Sequence, residues 1–257
     1  MPANPAPAGS GDGVPDSFSD RETFVEDFWR WMFIEADLPE SLARNVAASA
    51  LESPAFLMEL LVILQQDPHT FLLVDKFYSL PLNYEPEDLV PLRPGAFRVA
   101  RDGMYLRRMA LEALEEMARA AAQDGIVFTI GSAYRSGPYQ AEVYERWVSQ
   151  LGREAADRVS ARPGHSQHQL GLVVDFSPID NSFAESPAAR WLALNASLFG
   201  WSLSYPDGHE HITGYSWESW HYRYVGRDLA AFMDSYFGGI QQYALQFILA
   251  WQEQAMF

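Results

Sequence analysis

The spacing of apolar and polar positions divides the chain into a helical first part and a mixed second part. Over residues 21–66 the period is helical, with Phe24, Phe28, Trp31 and Met32 at spacings of three and four. Residues 38–66 read as two further helices broken at Ser53-Pro54, where serine suits an N-cap and proline a first helical turn. Residues 71–100 are proline-rich and extended. A helix is expected over 104–123, closed by Asp124-Gly125, followed by a buried strand over 126–130 and a polar turn, GSAYRSGPYQ. A second helix covers about 138–151. Val173 and Val174 form a short strand ending at Asp175. Ser186-Pro187 opens a helix that Gly200 closes, and 201–205 is again strand-like. WHYRYV over 220–225 alternates, so His221 and Arg223 share one face. A last helix over about 237–254 carries Ile240, Tyr243, Phe247, Ile248 and Trp251 on one stripe. Strands mixed with helices and few βαβ units predict an α+β fold, a small antiparallel sheet flanked by helices.

Composition narrows the chemistry. The 257 residues are 48% hydrophobic, enough for a real core. Eighteen Lys+Arg against 34 Asp+Glu leave a net charge of −16, which repels phosphate backbones and argues against nucleic-acid binding. No apolar run approaches the ~18–20 residues that cross a bilayer. The chain has no cysteine, so any metal must be held by His, Asp or Glu. Residues 1–20 are rich in Pro, Ala, Gly and Ser and read as a flexible leader without the features of a secretory signal. Residues 21–70 read as a helical appendage for packing or partner contact. The chemistry is expected in 71–235, with 236–257 a C-terminal helix on the core.

The candidate residues lie among the histidines. His168 is followed seven residues later by Asp175, and Gly171 with the strand after it lets both point into one cleft. His221 stands three residues after Glu218. A hydrolytic zinc site needs three protein ligands, an open position for water and a nearby carboxylate base. His168, Asp175 and His221 supply such ligands, and Glu218 such a base. Each signal alone is weak, since a single histidine is more often a hydrogen-bonded structural residue.

Four segments in order strengthen the reading: LVDKFYSLPLNYEPEDLVPL, SAYRSGPYQ, SARPGHSQHQLGLVVDF and ITGYSWESWHYRYVG. Over about 73–228 the chain resembles the VanY-type zinc D-alanyl-D-alanine carboxypeptidases, grouped structurally with lysostaphin-like enzymes and the hedgehog signalling domain. The resemblance implies one zinc ion on His168, Asp175 and His221, with Glu218 as catalytic base. It implies that Arg135, Gln140 and Ser166 line the substrate pocket, Arg135 meeting a carboxylate or an oxyanion. The implied activity is removal of the terminal D-alanine from peptidoglycan stem peptides, outside the cytoplasmic membrane of a bacterium. An L,D-carboxypeptidase, a D,D-dipeptidase or endopeptidase, and a non-catalytic wall-binding module are the alternatives. Some positions depart from the family pattern. Ser219 replaces the usual proline before Trp220, which is expected to loosen the turn aiming Glu218. Ala133 replaces a glycine, Val173 a small residue and Gln167 a frequent glutamate. His165 is expected to be a solvated loop residue, and His209 and His211 rim residues.

Overall fold

The computed structural model describes residues 18–255. Residues 1–17 of the expected leader lie outside that range, and its last three residues already belong to the first helix. The chain runs α1 (Phe18–Glu35), α2 (Glu40–Glu52), α3 (Ala55–Leu64), α4 (Pro68–Phe71), β1 (Leu89–Pro91), β2 (Arg98–Val99), β3 (Tyr105–Arg107), α5 (Arg108–Gln123) and β4 (Thr129–Ser132). It continues as α6 (Gly137–Leu151), α7 (Arg153–Val159), β5 (Val173–Phe176), α8 (Pro187–Asn195), β6 (Trp201–Leu203), α9 (Glu210–Thr213), β7 (His221–Tyr224), α10 (Arg227–Tyr236) and α11 (Gln241–Ala255). Three 3-10 turns, Gln167–Leu170, Asn181–Glu185 and Ala196–Phe199, join these elements.

Local chemistry sets the breaks. Ser53 ends α2 in an extended conformation, and its Oγ accepts from Ala55 N at 3.2 Å as α3 begins. Ser186 caps α8 by accepting from Ala189 N at 3.0 Å. The helix expected over 104–123 starts later, because β3 pairs with β1, Leu106 opposite Val90. The strand expected over 126–130 is shifted to β4. The single helix expected over 237–254 is shorter: Gly238 and Gly239 take positive φ, 61° and 73°, and separate α10 from α11. Helices α7 and α10 were not foreseen.

Strands β2-β4-β5-β7-β6 make one sheet. All its pairs are antiparallel except β2–β4, which is parallel because the chain crosses through α5 between them. Alternation along β5 and β7 places Val174, Phe176 and Tyr222 in a hydrophobic core with Leu114, Met117 and Phe128. Asp175, His221 and Arg223 occupy the opposite face. A second core joins the two ends of the chain: Met32, Phe56 and Leu60 pack with Phe232, Phe237, Phe247 and Ile248. Its aromatic rings interlock, with Phe56 to Phe232 at 5.1 Å and Phe28 to Trp251 at 6.3 Å between centroids. Arg223, fully buried, donates Nη2 to the carbonyls of His69, Thr70 and Leu72 and so ties β7 to the end of α4.

Candidate metal centre

Two local structures bring the donors together. His168 sits in the 3-10 turn that ends at Gly171, whose φ of 67° is left-handed. A Cβ there would lie 3.0 Å from Arg107 Cγ and 3.0 Å from Leu89 Cδ2, so the backbone conformation favours glycine and a larger residue would also have to displace these side chains. The chain then enters β5, where Asp175 stands directly across from His221 on β7. His221 N donates to Glu218 O at 3.3 Å, and this tight turn sets both side chains on one side.

The resulting cluster is buried. One ligand atom each from His168, Asp175 and His221 lies within 4.8 Å of the others. His168 Nε2 is 3.1 Å from Asp175 Oδ2, and His221 Nδ1 is 3.2 Å from both Asp175 Oδ1 and Glu218 Oε2. His168 Nδ1 lies 2.7 Å from the carbonyl of Ala133 and must carry the proton there. The neutral His168 ring therefore turns a lone pair, not an N–H, toward Asp175. Asp175 Oδ1 is buried and accepts no aligned hydrogen bond. Two acceptors facing each other beside an orphaned carboxylate oxygen is an arrangement that a cation completes. Two imidazoles and one carboxylate suit zinc.

The electrostatics follow from burial. Burial pushes the His168 pKa down to about 4, keeping the ring neutral as a ligand must be. For His221 burial acts the same way, but Asp175 and Glu218 outweigh it and push its pKa up to about 9. Burial would raise Asp175, yet the two histidines hold it well below the usual carboxylate range. Glu218 is raised, chiefly by burial, with its contact to His221 opposing.

These residues open into a cleft of about 440 Å³ that Arg135, Ser166, Trp147, Tyr205, Trp217 and Trp220 also line. Arg135 thus lies where sequence placed it, and Ser166 does too. Gln140 does not line the cleft. It is fully buried behind Arg135, its Oε1 accepting from Arg135 Nη1 at 2.8 Å and its Nε2 donating to Ala161 O at 2.6 Å. Its place is that of a brace for the guanidinium, while Arg135 Nη2 reaches Ser132 Oγ at 3.3 Å. His165 is a half-buried loop residue whose Nδ1 bonds Asp75 O at 2.7 Å. His211 lines a neighbouring depression with Asp207, Glu210 and Trp217. Trp220 faces the cleft, whereas Tyr222 belongs to the sheet core.

The turn at Ser219, expected to be loose, is bridged by a neighbouring side chain. Asn181 brackets it, donating Nδ2 to Trp217 O at 3.2 Å and accepting from Ser219 N at 3.3 Å. A proline at 219 would have no N–H to give. Asn181 and the ring of Tyr205, 4.7 Å from that of His221, escaped the sequence reading because neither belongs to a motif with recognisable spacing.

Comparison with known proteins agrees with this geometry. The family model described as VanY, D-alanyl-D-alanine carboxypeptidase, matches residues 103–227. Putative carboxypeptidase YodJ of Bacillus subtilis is 39% identical over 173 residues, 64% of this chain and 63% of that protein. The chain thus spans less than two thirds of that relative. The bifunctional D-Ala-D-Ala dipeptidase and carboxypeptidase VanXYC of Enterococcus gallinarum is 30% identical over 62% of this chain and 84% of its own. Among solved structures, the LdcB LD-carboxypeptidase superposes with a TM-score of 0.60 at 34% identity, covering 68% of this chain and 89% of that one. A mutant of the vancomycin-resistance D,D-pentapeptidase VanY in complex with Zn(II) gives 0.57 at 30% identity, covering 69% and 99%. Motifs, fold and neighbours converge: the chain belongs to the VanY family of D-alanyl-D-alanine carboxypeptidases.

Proposed function

We propose that the protein is a zinc-dependent D,D-carboxypeptidase that removes the terminal D-alanine from peptidoglycan stem peptides. The observation that carries this reading is the convergence of His168 Nε2, Asp175 and His221 Nδ1, with Glu218 beside them and Arg135 in the same cleft. One zinc ion would be held by the three converging side chains. When bound, it would polarise the scissile carbonyl and acidify water, the chemistry of a three-ligand site with an open position.

The chain's own residues supply the rest. Glu218, half-buried and 3.2 Å from His221 Nδ1, takes the proton of the attacking water and returns it to the leaving amine of D-alanine. Its raised pKa suits a group that must hold that proton between the two steps. Arg135, fixed by Gln140 and Ser132, presents its fork to the terminal carboxylate or to the developing oxyanion. Ser166 offers a neutral hydrogen bond beside it. The aromatic walls exclude water from these charges and strengthen their interactions.

Stem peptides lie outside the cytoplasmic membrane, so the protein is proposed to work there. Its net charge of −16 gives no attraction to anionic wall polymers, so recognition falls to the cleft. Incubation of the zinc-loaded protein with a muropeptide pentapeptide and, separately, a tetrapeptide, followed by mass spectrometry, tests the reading. Loss of one alanine from the pentapeptide alone is expected. Loss from the tetrapeptide would transfer the activity to the L,D bond, and cleavage of neither would refute a carboxypeptidase.

A further inference from the structure

Behind His221, away from the cleft, lies a chain of buried neutral side chains that no part of the mechanism uses. His221 Nε2 is 3.2 Å from Gln167 Oε1. Gln167 in turn donates its Nε2 to Gln241 Oε1 at 3.2 Å. Gln241 Oε1 also accepts from Ser204 Oγ at 3.3 Å, and its Nε2 reaches Ser202 O at 3.5 Å. Gln167 is 3% exposed and Gln241 1%, so both amides are cut off from water. A buried amide needs partners, and here each finds them in the next member of the row.

The orientation of the row is fixed from its ends. Ser202 O can only accept, so the Gln241 amide turns its N–H₂ toward it and its carbonyl toward Gln167. Gln167 must then donate to Gln241, which leaves its carbonyl for His221. The acceptor at that point requires a proton on His221 Nε2. The lone pair for a cation is thereby assigned to Nδ1, the atom that faces Asp175.

We propose that Gln167 and Gln241 are positioning residues for the metal centre, a neutral relay that holds the ring plane of His221 and reserves its Nδ1 for the cation. Gln241 opens α11, outside residues 103–227, so a helix beyond the family match reaches the first ligand shell through one side chain. The next residue makes a second such contact. Gln242 Nε2 donates to Asp75 Oδ2 at 2.8 Å, and the Asp75 carbonyl accepts from His165, two residues before Gln167. Partners of this kind on metal-ligating histidines change metal affinity by about 10–100-fold. With an amide in place of the more frequent glutamate, the relay adds no negative charge to a cluster that already holds Asp175 and Glu218.

This inference rests on the reading of His221 as a ligand. The test is Zn²⁺ affinity by competition with a chromophoric chelator at neutral pH, on the full chain. Wild type is compared with H221A, Q167M, Q241M, the Q167M/Q241M pair and Q167E, with thermal melting recorded for each. Q167M is expected to lose about 10–100-fold in affinity, Q241M less. The double variant should bind no worse than Q167M, because Gln241 acts through Gln167. Q167E, which restores a carbonyl-type acceptor to His221 Nε2, should recover most of the loss. A general packing defect would instead lower the melting temperature, add in the double variant and resist the rescue by glutamate. If wild type binds zinc, H221A does not, and the glutamine variants bind like wild type, the relay is refuted while the ligand set stands. If H221A binds like wild type, the ligand reading fails and the relay with it.

Discussion

The two cores of this molecule are built to opposite rules. The core joining α1, α3, α10 and α11 is held by interlocked rings and aliphatic side chains, Phe56, Phe232 and Phe247 among them. The sheet has such a core on one face only. On its other face Asp175, His221 and His168 are as buried as Phe56's neighbours, yet they make few ideal hydrogen bonds with one another. Apolar burial of the first kind stabilises at about 25 cal/mol per Å² and asks nothing further. Burial of the second kind costs free energy and is retained where chemistry uses it. The lesson is that stability and activity should be separable by position.

Substitutions can break or sharpen this contrast. The largest effect is expected from Glu218→Ala, which should lower kcat by about 10²–10⁴-fold with no loss of melting temperature, since a half-buried acid beside Asp175 is removed from a costly place. Steady-state kinetics and calorimetry on the same sample decide it; a marked fall in stability would erase the distinction between the two regions. Phe247→Ala makes the opposite cut. It removes a fully buried ring and should cost about 3–5 kcal/mol in urea melts, while the folded fraction keeps the kcat/KM of wild type.

Smaller effects probe the borders. Asn181→Ala removes two hydrogen bonds that hold the turn carrying Glu218, and at about 1 kcal/mol each kcat should fall by at most about 30-fold. Zinc affinity should not change, because Asn181 touches no ligand. A variant that lost zinc as well would show that the turn and the ligands are one unit. The smallest effect concerns Arg107, whose Nε bonds Asp88 at 2.7 Å and whose Nη2 bonds Asp67 at 2.7 Å. Burial alone would raise the Asp67 pKa, but Arg107 and His69 outweigh it and hold it well below the usual range. A depressed folded-state pKa means the stabilisation is complete above about pH 4 and is lost as pH falls through the folded value. Asp67→Asn should therefore lower the urea midpoint at neutral pH, and the gap to wild type should close in acid. A gap independent of pH would show that the pair contributes no charge-dependent stability.

The ligand set was legible because it depends on short-range geometry. His168 and Asp175 are joined by one glycine turn and half a strand, and Glu218 and His221 by a single tight turn; these spacings are weak singly, and it is the four motifs in family order that single the residues out. The two-core architecture was less legible. Phe28 and Phe247 stand on helices at opposite ends of the chain, and helical periodicity says which face is apolar without saying what covers it. The positions of Gln140, Asn181 and Gln241 were hidden for a related reason. Polar side chains acquire their roles from backbone carbonyls and amides brought up by distant elements, and nothing in their local sequence records this. The apolar stripe of the last helix begins at Ile240, yet its start was set at about 237, before the glycine pair at 238–239 where the backbone makes a turn.

The central claim is that the buried polar face is a zinc centre and that the activity depends on it. The most direct test strips the protein with a chelator, then follows D-alanine release from a pentapeptide while Zn²⁺ is returned in measured steps. Release is expected to vanish on stripping and to recover fully at one zinc per chain. Undiminished release from the metal-free protein would contradict the account.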